Sequence, residues 1–241
     1  MAGCRQTVKL NGELVEIHIC SLNEEKLIEE TLMSVKEQCL IADNPDRVKI
    51  VLLDSGSTDK TVEIAQNYVD RILMCERGKL TARDAGFRNS DADIIVSFDA
   101  DTVYPVGTAA RLVKPMLDDP SVVVTTGYGV YENPLAQVLM GTVQAVQSMG
   151  RAVGLNYVSA FVSAIRRDAY LKSGGFNLGI NQRDLWQMLW EEEFTIAPRL
   201  CNATGGKFKY VDKAVVYPSS RRIDPLGNSE FFEQIMSQER F

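Results

Sequence analysis

Asp99 and Asp101, with Ala100 between them, close a short apolar run from Ile94 to Phe98. The run is rich in β-branched residues and reads as a buried strand. Two carboxylates just past such a strand reach the same cleft at the carboxyl edge of a sheet, where open α/β sheets bind ligands. Acids that close repel each other unless a cation sits between them. The chemistry on offer is therefore cation binding at the edge of a ligand cleft. An acidic turn in solvent is the competing reading, and for an isolated Asp-x-Asp it is the stronger one.

The surrounding chain shifts that balance. Glu16–Cys20, Val48–Leu53 and Arg71–Cys75 read as three earlier strands. Ser21-Leu-Asn-Glu-Glu25 follows the first, before a helical pattern at Leu27, Ile28, Thr31, Leu32 and Val35, with Asn23 as its N-cap. Asp54-Ser-Gly-Ser-Thr-Asp59 follows the second strand, with Gly56 permitting a sharp turn and Ser57 or Thr58 capping the next helix. Gly78-Lys79 opens a helix carrying Arg83 and Arg88. Repeated strand–loop–helix units predict a mostly parallel sheet covered on both faces. The loops at 21–25, 54–59 and 99–101 should then converge on one rim.

Beyond Asp101 the pattern loosens. A helix is expected over 107–118, β structure over 121–130, and a strand over Val158–Ile165. Residues 134–150 carry no charge and have helical apolar spacing, which predicts a core or dimer helix. A helix is expected over 185–200, then strands at Phe208–Val211 and Val215–Tyr217, and a last helix over 229–239. Trp186 and Trp190 stand one helical turn apart; core packing is favoured over a sugar-stacking platform. A hairpin is expected at Asn11-Gly12.

Composition narrows the function. The 241 residues suit one large domain or two small ones, and 45% apolar with 24% charged content is that of an ordinary globule. A net charge of −6 argues against a general nucleic-acid binder. Cys4, Cys20, Cys39, Cys75 and Cys201 are odd in number and widely spaced, which argues against a disulfide framework or zinc site and fits a reducing compartment. His18, the single histidine, lies in a strand and reads as a core residue, so a Ser-His-Asp triad is excluded. No signal sequence or membrane span is visible, which predicts a cytoplasmic chain, with peripheral membrane contact left open.

Several stretches, taken together and in order, resemble the inverting glycosyltransferases of family 2, which have the GT-A fold. They are Leu22-Asn-Glu-Glu25, Asp54-Ser-Gly-Ser-Thr-Asp-Lys-Thr61, Gly78-Lys79 with Ala82-Arg83-Asp84-x-Gly86, and Phe98-Asp-Ala-Asp101. Ile165-Arg166-Arg167, Gly174-Gly-Phe176, Glu192-Glu193 with Arg199-Leu200, and Val215-Val-Tyr217 complete the set. The resemblance implies a single GT-A domain over 1–241, with a Rossmann-like, mostly parallel sheet and a small mixed β/helical acceptor-side region. Residues 1–104 would be the nucleotide-sugar half, 105–222 the acceptor and catalytic half, and 223–241 a lid or tail.

The resemblance also implies roles. Ser21 and Leu22 would lie beside base and ribose, with Asp54 bonding the base and Glu24 and Ala100 completing the lining. Lys79 and Arg83 would flank the base or diphosphate. Asp101 would ligate Mn2+ or Mg2+, with Asp99 as a second ligand or touching the ribose or a bound water. Glu193, and after it Glu192, would be the base that takes the acceptor's proton. The family carries Glu-Asp where this chain has Glu192-Glu193, and a histidine near Pro218 that this chain lacks. Arg221 and Arg222 would clamp the diphosphate, within a lid formed by 219–241. A nucleotide-diphosphate sugar is the implied donor, UDP favoured and GDP compatible, and the acceptor is a glycan, lipid or protein-linked saccharide. The alternatives are an inactive sugar-nucleotide-binding homologue and a nucleotidyltransferase, the latter disfavoured because Ser21–Glu25 holds no glycine.

Overall fold

The computed structural model describes residues 7–131, 133–134, 137–138, 141, 156–184, 187–188 and 190–219. Strand and helix alternate first: β1 (Val15–Ser21), α1 (Ile28–Lys36), α2 (Cys39–Asp43), β2 (Val48–Asp54), α3 (Thr61–Ala65), β3 (Arg71–Met74), α4 (Lys79–Arg88) and β4 (Ile94–Asp99). Then come β5 (Thr102–Val103), α5 (Thr108–Asp118), β6 (Val122–Gly129), β7 (Val162–Arg166) and α6 (Arg167–Lys172). A π-helical turn (Trp190–Thr195), α7 (Ile196–Thr204) and β8 (Lys207–Pro218) follow.

The described strands form one sheet in the order β3-β2-β1-β4-β7-β6-β8-β5. β3, β2, β1 and β4 run parallel, as do β6 and β8, whereas β7 is antiparallel to both its neighbours. Strand periodicity sends alternate side chains to opposite faces. Ile17 and Ile19 of β1 pack in the cluster holding Leu32 and Val35 of α1 and Leu112 and Met116 of α5. On the other face, Ile95, Val124 and Ile165 pack with Leu80 and Phe87 of α4, Tyr170 of α6 and Leu200 of α7. His18 points to this second face; its ring meets Phe87 edge-on at 5.8 Å, and burial lowers its basicity. It is the core residue expected.

Helix α4 lies so close to the sheet that position 86 has no room for a side chain. A Cβ there would stand 2.5 Å from Leu53 Cδ1 and 2.9 Å from His18 Nδ1. We expect Gly86→Ala to destabilise the protein by about 1–2 kcal/mol: overpacking costs more than the roughly 1 kcal/mol that alanine contributes in a helix. Urea unfolding measures this.

Several sequence expectations need correction. Residues 11–12 form a bend and 7–14 no strand, so the Asn11-Gly12 hairpin is absent. The strand expected at Val158 begins at Val162. The two late strands are one: Asp212 and Lys213 are exposed within β8, and register shifts against β6 absorb the irregularity. Where an α-helix was expected, a π turn precedes α7; Pro198 has no N–H to offer the Phe194 carbonyl, so α-type bonding cannot run through this point. Cys20, Cys75 and Cys201 are free, but Cys39 is disulfide-bonded, because wide spacing along a chain does not fix spacing in the fold. The expected helix over 134–150 falls largely outside the described residues, and the final helix at 229–239 wholly so. No helix among the described residues is long and apolar enough to cross a membrane.

Candidate functional site

Parallel strands bring their carboxyl ends to one edge. Ser21 is in register with Asp54, and Cys20 with Asp99. The three strand-ending loops therefore meet on a single rim, as the topology predicted. The first two loops are bonded to each other. Asn23 Oδ1 accepts from Thr58 N at 2.9 Å, and Asn23 N donates to Ser57 Oγ at 2.9 Å. Glu24 N donates to Thr61 Oγ1 at 2.7 Å, and Lys60 N to Glu25 Oε2 at 3.2 Å. Asn23 is thus no helix cap: α1 starts five residues later, and Asn23 adopts φ 54° to reach across. Asparagine tolerates that region better than most residues. Ser57 and Thr58 do not cap the next helix either: it starts at Thr61 with Lys60 before it and no side-chain cap, and Asp59 Oδ1 accepts from Thr61 N at 3.0 Å.

Asp54 anchors this wall. Its Oδ1 accepts from Ser21 Oγ at 3.0 Å and Ser57 Oγ at 2.5 Å, and its Oδ2 from Gly56 N at 3.0 Å and Ser57 N at 2.8 Å. Gly56 makes the turn possible with φ 90°. The residue has no exposed surface. Asp54→Ala should cost about 3 kcal/mol in urea unfolding, because buried donors lose a charged acceptor.

Cys20, Ser21, Leu22, Glu24, Ser55, Lys79, Asp99, Ala100 and Asp101 surround an open cleft of about 500 Å³. Seven of these are residues the sequence singled out; Cys20 and Ser55 are not. Arg83 and Asp54 lie behind the cleft wall, both buried. A second cleft of about 800 Å³, between α1 and the end of β8, also has Asp101 in its lining. Arg221, Arg222 and nearly all of the 219–241 lid lie outside the described residues.

At the cleft's inner end four charges interlock. Arg83 is ion-paired to both Asp99 and Glu192, and its Nε donates to Ser97 Oγ at 3.1 Å. Lys79 Nζ stands 3.2 Å from Asp99 Oδ2 and 3.4 Å from Glu192 Oε2. Two cations thus offset two carboxylates. Tyr104, stacked on Phe98 with ring centroids 3.7 Å apart, fixes the backbone here: its hydroxyl accepts from Asp99 N at 2.8 Å and contacts the Phe161 carbonyl at 3.1 Å. No motif pointed to Tyr104, whose hydroxyl joins the nearby Asp99 to Phe161, 57 residues further on.

The π turn separates the three glutamates. Glu191 pairs with Arg199, and its Oε1 accepts from Asn177 N at 2.7 Å. Glu192 is 1% exposed and belongs to the charge cluster. Glu193 makes no ion pair among the described residues. Burial pushes its carboxyl up to about 7, opposed by Lys79 and Arg83 and assisted by Asp99. Tyr131, buried, senses the charges of Glu193, Asp101 and Asp99 together. Glu193, next in the chain to Glu192 of the charge cluster, therefore has a carboxyl suited to exchange protons near neutrality. Trp190, expected in the core, is 64% exposed and stacks on Phe194 at 5.3 Å. The π turn faces it outward; Trp186 lies outside the described residues.

Among the described residues, no three His, Cys, Asp or Glu side chains gather into a metal cage. Asp99 is already paired to two protein cations. Asp101, at the meeting of two clefts, offers hard oxygen ligands that fit Mg2+ or Mn2+ if phosphate and water complete the shell.

The sheet order, the covered faces and the rim are those of the GT-A fold. Residues 16–174 match the family model "Glycosyl transferase family 2", and the chain belongs to that family. A poly-β-1,6-N-acetyl-D-glucosamine synthase of Staphylococcus epidermidis is 23% identical over 212 residues, covering 78% of this chain and 49% of the relative. The chain thus spans about half the length of the curated relatives of that kind. A mannosyltransferase from Pyrobaculum calidifontis, solved with GDP-mannose and Mn2+, superposes with a TM-score of 0.64 at 20% identity, covering 85% of this chain and 56% of that one. Glucosyl-3-phosphoglycerate synthase of Mycobacterium tuberculosis, solved with Mn2+, UDP-glucose and phosphoglyceric acid, gives 0.59 at 21% identity, covering 94% and 80%.

Proposed function

We propose that this chain transfers a sugar, with inversion, from a nucleoside-diphosphate sugar to an acceptor hydroxyl, with Mn2+ or Mg2+ bound at Asp101. The observation that carries the reading is the grouping of Asp101, Lys79 and Asp99 at the rim, joined through Lys79 to Glu192, the chain neighbour of Glu193. The Mn2+ and sugar nucleotides of the structural relatives support it.

Ser21, Leu22 and Glu24 hold the nucleoside against a wall that Asp54 keeps in shape. Lys79, partly exposed, faces the diphosphate. A cation held at Asp101 would supply charge neutralisation for the departing diphosphate. The acceptor oxygen forms a bond to the anomeric carbon as the bond from that carbon to the diphosphate oxygen breaks, and Glu193 takes the acceptor's proton. UDP is the favoured nucleotide and GDP is compatible; the acceptor is a glycan or a lipid- or protein-linked saccharide.

The test is to mix protein, Mn2+ and UDP-glucose, UDP-N-acetylglucosamine or GDP-mannose with saccharide acceptors, and follow nucleoside diphosphate release. Release with one donor, lost in EDTA, supports the reading. Binding without release under any acceptor would favour an inactive sugar-nucleotide-binding homologue. The rate should rise with pH around a midpoint of about 7 and level off above it, because the base must lose its proton to act.

A further inference from the structure

Glu192 sits where a second candidate base would sit, yet its surroundings give it another task. It is 1% exposed, and so is Arg83, its partner from α4. Arg83 is held from three other sides: by Asp99 at the end of β4, by Ser97 Oγ at 3.1 Å, and by the Ala160 carbonyl at 3.2 Å. Lys79, one turn earlier on α4, closes the ring by reaching both Asp99 and Glu192. A carboxylate so enclosed has no room to meet an acceptor hydroxyl. It does link the π turn that carries Glu193 to the strand end that carries the paired aspartates. A buried ion pair of this kind adds little net stability compared with apolar packing, but it fixes geometry strongly, and removing one partner strands the other's charge.

We propose that Glu192 is a positioning residue: it locks Lys79 and Arg83 between the donor rim and the π turn, so that Glu193 alone of the three glutamates acts on the acceptor. The inference rests on the proposed role of Glu193 as base. It has an electrostatic corollary. The charges that act on Glu193 are those of Lys79 and Arg83 from α4 and Asp99 from the end of β4, buried Tyr131 senses its charge in turn, and Glu192 is beside it in the chain. Removing Glu192's charge leaves two cations facing Glu193, and cations favour the ionised carboxylate.

The experiment is a 13C NMR titration of the Glu193 carboxyl in the full chain, which needs no substrate. In Glu192→Gln the midpoint should fall by roughly half a unit to one unit. In Lys79→Gln, where a partly exposed cation is lost, it should rise. The double variant restores the charge balance and should return near the wild-type midpoint, a cancellation of opposite shifts that a merely structural role would not produce. If Glu192→Gln does not fold, a Lys79→Gln midpoint that stays put overturns the inference by itself. An unmoved midpoint in folded Glu192→Gln does the same. Turnover of UDP-glucose, UDP-N-acetylglucosamine or GDP-mannose separates this failure from that of the parent reading. Wild-type turnover in Glu193→Gln would sink the base assignment. An inactive Glu193→Gln beside a Glu192→Gln of unchanged rate and pH profile would sink only the positioning role.

Discussion

Asp101→Ala will lower sugar transfer about a thousandfold while leaving the fold intact. The size follows from the charge involved. A cation on the leaving diphosphate supplies several kcal/mol of transition-state stabilisation, and each 1.4 kcal/mol is tenfold in rate. Asp101 is the carboxylate proposed to hold that ion, since it lines both clefts at the rim. The fold survives because Asp101 lies at the meeting of two clefts and not in the apolar clusters. Steady-state release of nucleoside diphosphate at saturating donor and Mn2+ reads the rate, and urea unfolding reads the stability. Asp99→Asn should behave differently: it strands two cations and should lower both stability and rate.

Glu193→Gln will lower turnover by about a hundred- to ten-thousandfold, the usual worth of a positioned general base, with nucleotide affinity unchanged. The same substitution will stabilise the protein above neutral pH. Burial raises the Glu193 carboxyl to about 7, so the folded state holds that proton more tightly than the unfolded chain does. A raised carboxyl adds stability below its unfolded value that is lost as pH rises to 7. Glutamine, always neutral, escapes the loss. Urea unfolding at pH 8 should show Glu193→Gln more stable by roughly 1–3 kcal/mol, and at pH 4 the two should coincide. Loss of activity with a gain of stability is a signature that simple damage to the fold does not give.

Much of this site can be read along the chain because parallel strands deliver their ends to one edge. The runs ending at Cys20, Leu53 and Asp99 predicted three loops on one rim, and the register of Ser21 with Asp54 and of Cys20 with Asp99 places them there. Amphipathic spacing likewise marked the buried face of α1 at Ile28, Thr31, Leu32 and Val35. What sequence could not supply was the outcome of competition between partners. Asn23 has the right chemistry for a helix cap, but the Asp54–Thr61 loop offered it Thr58 N and Ser57 Oγ instead. Three consecutive glutamates look equivalent in sequence. They separate only because Arg199 takes one and Arg83 another, from eight residues downstream and 109 upstream. Trp190 reads as core by type, yet on the π turn it stands exposed, and Pro198, which denies the Phe194 carbonyl an α-type bond, lies eight residues further on.

The most direct measurement is calorimetric titration of UDP and of GDP into the protein, in Mn2+ and again in EDTA. Binding of one nucleotide that requires Mn2+, and that disappears in Asp101→Ala, is the predicted result. Equal binding with and without the ion, or binding that Asp101→Ala leaves unchanged, would contradict a cation held between that aspartate and the diphosphate.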